Sequence, residues 1–195
     1  METLLPPKSD SLAPTVDSPK VFNSRSYSGA WFPYSGDRMA LRGRIQDFLQ
    51  MKLNDPSGQL KVGEKGPEWH GTKGIQLSYS HSGSYAILVW TSTHRIGVDL
   101  ETSNREYSHP PLELATRFFH ATEVQKLSNL KQSPSMLASA FLDLWLKKEA
   151  YAKLTRLGLK DSIHSELDSI QNVLFETLPV IPAGYDARVA IETQT

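Results

Sequence analysis

The sequence predicts an α+β fold. Two observations carry this. Helical and strand-like segments are mixed along the chain rather than strictly alternating. The strand-like runs cluster in the middle and at the end, Ile75 to Ser80, Tyr85 to Thr91, Ile96 to Glu101, Val173 to Leu178 and Arg188 to Glu192, separated by turn signals such as Ser82-Gly83, Thr93-His94 and Pro182-Ala183-Gly184.

The elements follow in order. Residues 1–24 are rich in Pro, Ser, Asp and Lys without period and read as a flexible leader. Asp37 to Lys52 places Met39, Leu41, Ile45, Phe48 and Leu49 among Arg and Gln, the pattern of an amphipathic helix, and Asn54-Asp55-Pro56-Ser57-Gly58 ends it. Residues 59–74, with Gly63, Gly66, Gly71 and Gly74, read as a loop region with a short strand at Leu60 to Val62. The three runs between Ile75 and Glu101 are expected to form consecutive antiparallel strands of one sheet. Pro110-Pro111 opens a helix through Phe119, and a second piece runs from Thr122 to about Leu130, with Glu123 in its first turn. Ser133-Pro134 predicts a capped helix start, with an apolar stripe of Leu137, Phe141, Leu144, Tyr151 and Leu154 and a stop at Gly158.

The bulk numbers narrow the function. The chain has 195 residues, 39% hydrophobic and 22% charged, as a globular core requires. Lys plus Arg and Asp plus Glu both number 21, so the net charge is zero and gives no support to a nucleic-acid binder. There is no cysteine, which excludes thiolate ligands and nucleophiles and fits a cytoplasmic address. No secretory signal is visible at the N-terminus, and no apolar run is long enough to span a membrane. A Gly-x-Ser-x-Gly elbow is missing, which disfavours a serine hydrolase.

Two stretches carry the chemistry. In Gly97-Val98-Asp99-Leu100-Glu101 a strand puts two carboxylates at i and i+2, leaving one face. In Trp145-Leu146-Lys147-Lys148-Glu149-Ala150-Tyr151-Ala152-Lys153 a helix sets Trp145, Glu149 and Lys153 at successive i+4 steps along one stripe. Three carboxylates and a lysine that converge suit a divalent cation and the phosphate it neutralises. The structural alternatives are a solvated strand end for Asp99 and Glu101 and a surface ion pair for Glu149 and Lys153.

These two stretches, with Ser78-Tyr79-Ser80-His81-Ser82, Arg117-Phe118-Phe119-His120-Ala121-Thr122-Glu123, Gly158-Leu159 and Gly184-Tyr185, resemble the 4'-phosphopantetheinyl transferases of the Sfp-like class. The resemblance covers roughly residues 37–190. It implies the α+β phosphopantetheinyl transferase fold, two similar halves related by a pseudo-twofold axis, here 25–100 and 101–195, with coenzyme A in the cleft between them. It implies Mg2+-dependent transfer of the 4'-phosphopantetheine arm of coenzyme A to a serine of an apo acyl or peptidyl carrier protein. By the same resemblance, Asp99, Glu101 and Glu149 hold Mg2+. Arg38, Arg42, Lys65, Ser80, His81 and Lys153 bind coenzyme A, with Arg44 a further candidate. Glu149 and Lys153 also serve catalysis, and Glu123 is a candidate general base.

For Glu123 an ordinary helix-start role stays open, as does a solvated helix face for the arginines. The sequence departs from the family before Arg38, where the segment is shortened, and at Lys65-Gly66-Pro67, where Gly-Lys-Pro is usual. Arg117, Lys126 and Lys131 are candidates for carrier contacts. The protein is expected to be a cytoplasmic monomer that uses neither membrane nor nucleic acid. The rival readings are a non-catalytic coenzyme A or carrier-protein binding homologue and a Mg2+-dependent nuclease.

Overall fold

A computed structural model describes residues 19–193. Most of the predicted leader lies outside the described residues; its last part, Lys20–Asn23, is strand β1. The further elements are β2 (Ser28–Pro33), α1 (Arg38–Leu53), β3 (Gln59–Gly63), β4 (Gly66–His70), β5 (Gln76–Ser82), β6 (Tyr85–Thr91), β7 (Ile96–Thr102), α2 (Pro111–Phe118), α3 (Ala121–Ser128), α4 (Pro134–Thr155), α5 (Leu159–Ser162), β8 (Val173–Thr177) and β9 (Tyr185–Glu192), with a 3₁₀ turn at Leu167–Ser169. The α+β expectation holds.

Alternation along the strands builds the layers. On one face of the antiparallel β1-β2-β6-β5 sheet, Ala30, Phe32, Ala86, Leu88 and Trp90 meet Leu41, Ile45, Phe48 and Leu49 of α1. On the other face, Trp31, Ile87 and Val89 meet Val98, Leu100, Val189 and Ile191 of the antiparallel β7-β9-β8 sheet. The outer face of that second sheet carries α4 through Ala150, Leu154 and Ala190. The result is helix, sheet, sheet, helix, as period-2 strands with two apolar faces demand.

Three expectations need correction. β7 does not continue the sheet of β5 and β6 but pairs with β9, Asp99 opposite Arg188. The edges β5 and β7 instead lie side by side and are stitched through side chains: Ser78 Oγ accepts from Val98 N at 3.1 Å, Ser80 Oγ donates to Asp99 at 2.7 Å, and Ser82 Oγ donates to Glu101 at 2.8 Å. The Gly-rich stretch folds as the β3–β4 hairpin, because Gly66, at φ 98°, supplies the left-handed turn residue. Ser133 makes no side-chain cap on α4, which ends at Arg156 in the left-handed conformation (φ 60°) rather than at Gly158. By contrast, Asp37 caps α1 as its type allows, accepting from Met39 N at 2.8 Å and Ala40 N at 3.0 Å.

Candidate active site

Gly97 determines how close α4 lies to β7. A methyl group there would sit 2.0 Å from the Ala150 carbonyl oxygen, so only glycine permits this approach. Ile96, Val98 and Leu100 point into the core between the sheets. Gly97, Asp99 and Glu101 therefore share the opposite face, toward α4. One turn apart on α4, Glu149 and Lys153 meet them.

A cleft of about 500 Å³ opens there. Asp99, Glu101, Glu149, Lys153, Ser80 and His81 line it from the β5–β7 seam and α4. Arg38 comes from the first residue of α1 and Lys65 from the hairpin turn. The sequence-predicted carboxylates, the lysine and most of the proposed coenzyme A residues thus share one space.

Their charges are unevenly matched. Lys153 Nζ spends its three donors on Asp99 Oδ1 (2.6 Å), Ser80 Oγ (2.9 Å) and the Val98 carbonyl (3.0 Å). Asp99 is buried, and its Oδ2 has no partner among the described residues. Glu101 is held by Ser82 and by Arg105, whose guanidinium also lies over the Tyr107 and Trp145 rings. Burial pushes its carboxyl pKa up. Glu149 has no ion pair or hydrogen bond among the described residues. Burial first, and then the charge of Asp99, push its pKa up to about 7. His81 stacks on Tyr34 with ring centroids 4.4 Å apart, and burial, then Arg38 and Lys153, hold its pKa below the usual histidine value.

Among the described residues, no three His, Asp or Glu side chains form a ready-made cation cluster. Asp99 is drawn to Lys153 and Glu101 to Arg105. The donor set still fits a hard divalent cation, because it offers carboxylate oxygens and one buried oxygen without a partner.

Several predicted residues sit elsewhere. Glu123 is 2% exposed and lines no part of the cleft. Its carboxylate pairs with the buried Lys148 at 2.7 Å and accepts from His120 N and Leu167 N, each at 3.1 Å. It joins α3, α4 and the 3₁₀ turn, away from the cleft in which a general base would act. Arg42 is exposed and donates to Tyr79 Oη at 3.2 Å, beside the cleft rather than in it. Arg44 donates to the Pro33 carbonyl at 2.7 Å and lies over Phe32, a packing role. Trp145 packs with Phe119 and Phe141.

Sequence reasoning missed Ser82, Arg105, Lys148 and Arg156. Lys148 had a signal: it falls on the stripe of Phe141 and Trp145, at i+7 and i+3, where a lysine needs a buried partner. Arg156 lines the cleft and had none.

Residues 95–182, which carry β7, the carboxylates and α4, match the family model of the 4'-phosphopantetheinyl transferase superfamily. This part of the chain is similar to that superfamily. A protein of Synechocystis sp., provisionally named a 4'-phosphopantetheinyl transferase, is 31% identical over 150 residues, 73% of this chain and 56% of the relative. The 4'-phosphopantetheinyl transferase psf-1 of Bacillus pumilus is 33% identical over 91 residues, 47% of this chain and 36% of the relative. The match spans just over half of one relative and about a third of the other. No helix among the described residues is long and apolar enough to cross a membrane.

Proposed function

We propose that the protein is an Sfp-like 4'-phosphopantetheinyl transferase that moves the phosphopantetheine arm of coenzyme A to a serine of an apo acyl or peptidyl carrier protein. One observation carries this reading. A single cleft gathers Arg38, Lys65 and Lys153, suited to phosphates, against Asp99, Glu101 and Glu149. The match of residues 95–182 to the superfamily model and the names of the two relatives support it.

Asp99, through its unpartnered Oδ2, and Glu101 would hold Mg2+, with Glu149 facing both. When bound, the ion supplies charge neutralisation at the pyrophosphate. Arg38 and Lys65 bind and orient the phosphates of the nucleotide. His81, neutral in the free cleft, donates or accepts at their edge. Lys153 steadies charge developing on the phosphoryl oxygens. Of the three carboxylates only Glu149 has no ion pair among the described residues, so it accepts the proton of the incoming serine. The serine oxygen bonds the β-phosphorus and adenosine 3',5'-bisphosphate leaves. Positioning and electrostatics supply most of the acceleration, as in phosphoryl transfer generally. The reading includes a cytoplasmic monomer divided into halves at about residue 100, without membrane or nucleic acid.

The test is incubation with coenzyme A, Mg2+ and a panel of apo carrier proteins, read by intact mass. The expected result is a carrier heavier by one phosphopantetheine, at its serine, and only with Mg2+ present. Coenzyme A binding without transfer to any carrier would leave the non-catalytic homologue instead.

A further inference from the structure

The β3–β4 hairpin belongs to neither main sheet, yet its turn, Glu64 to Pro67, walls the cleft and carries Lys65. The hairpin's root is firmly set beside the end of α1. Trp69 Nε1 donates to the buried Asp55 Oδ2 at 3.1 Å, and Thr72 N donates to the same oxygen at 2.9 Å. The indole lies against Gly58, where a methyl group would come within 2.0 Å of the ring. Among the described residues, no side-chain hydrogen bond secures the turn itself from its own side of the cleft.

A bond from the opposite side does. Glu68 Oε1 lies 2.6 Å from Arg156 Nη1, joining β4 to the C-terminal cap of α4 across 88 residues of chain. The second oxygen of Glu68 lies 3.5 Å from His70 Nε2. Arg156 has φ 60°, a left-handed conformation that favours glycine at this helix position. An arginine held in such a conformation, lining the cleft and paired across it, points to a role beyond ending the helix.

We propose that Glu68 and Arg156 form an ionic strap that holds the β3–β4 hairpin against α4 and so fixes the Lys65 wall of the cleft at the spacing a nucleotide pyrophosphate needs. Arg156 is thereby a positioning residue for the anionic substrate. The substrate clause rests on the transferase reading; the strap itself rests on the ion pair.

The experiment compares wild type with Arg156→Gly, Glu68→Arg and the charge-swapped double variant Glu68→Arg/Arg156→Glu, using amide hydrogen exchange and stopped-flow release of coenzyme A in Mg2+. Glycine suits the backbone at 156, so this variant keeps its fold. Either single variant should exchange faster across Gln59–His70, with β6 unchanged. Each should release coenzyme A roughly two- to five-fold faster, the scale of a partly exposed ion pair. The double variant should recover both. Unchanged hairpin exchange in Arg156→Gly overturns the strap. Faster exchange with unchanged release overturns the positioning role. A wild type that binds no coenzyme A overturns the transferase reading and the substrate clause, while the exchange result still decides the strap.

Discussion

Replacing Glu123 by glutamine removes one charge and almost no volume, at a place where charge has nowhere to go. The Lys148 side chain is 0% exposed and that of Glu123 3% exposed. Without the carboxylate, the ammonium keeps, among the described residues, only the Ser165 carbonyl at 2.7 Å and the Phe119 ring at 5.0 Å. Breaking one side of a buried pair costs about 3–5 kcal/mol. Glutamine retains one acceptor oxygen, but His120 N and Leu167 N now bond to different oxygens, so one of them loses its partner. The expected loss is about 4 kcal/mol, or roughly 10 °C in melting temperature for a chain of this size.

Thermal and urea unfolding measure that loss; coenzyme A affinity and turnover per folded molecule, read well below the melting point, should stay at wild-type values. Glu123→Leu with Lys148→Met removes both charges and should recover most of the stability. A Glu123→Gln protein that melts like wild type but has lost turnover would refute the reasoning and return Glu123 to the chemistry.

Other substitutions separate the cleft from its scaffold. Asp99→Asn keeps the acceptor for Lys153 but weakens the buried oxygen without a partner; Mn2+ affinity by calorimetry should fall at least about tenfold, the scale known even for groups that merely orient metal ligands. Arg38→Gln should weaken coenzyme A binding with little change in stability, whereas Arg44→Gln, losing its bond to Pro33, should cost about 1–2 kcal/mol and leave affinity unchanged. His81, facing Arg38, Lys153 and Asp99 and stacked on Tyr34, has a pKa depressed in the free protein. A bound phosphate favours its protonated form, so binding takes up a proton. Affinity should therefore rise as pH falls from about 8 toward 6, and His81→Gln should make that slope shallower in a calorimetric series.

Much of the site was legible because it depends on local period. Asp99 and Glu101 share a strand face, and Glu149 and Lys153 share a helix stripe, by spacing alone. β6 runs from Tyr85 to Thr91 as its apolar run predicts. What stayed hidden depends on pairings between distant segments. The chain-adjacent runs at 85–91 and 96–102 look like neighbours in one sheet, but the apolar face of β7, Ile96, Val98 and Leu100, packs across the core onto the first sheet, and the backbone of β7 pairs with β9 instead. Glu123 looks the same in sequence whether it caps a helix, serves a substrate or neutralises Lys148; only the packing of α3 on α4 decides. The hairpin was hidden by its glycines, which mark loops and tight turns alike.

The seam between β5 and β7 explains why a reactive cluster sits at this point of the fold. Two edge strands that meet without exchanging backbone bonds leave a row of groups to satisfy. Ser78, Ser80 and Ser82, alternate residues on one face of β5, supply the missing partners. Ser78 satisfies a backbone amide. Ser80 and Ser82 spend their protons on Asp99 and Glu101 and thereby fix the rotamers of two carboxylates that would otherwise repel one another. The serine seam fixes both carboxylates, and Gly97 brings α4 close enough for Lys153 to reach across to Ser80 and Asp99. The site is thus a consequence of how the two sheets are joined, and changes at Ser80 or Gly97, far apart in chemistry, should disturb the same carboxylate.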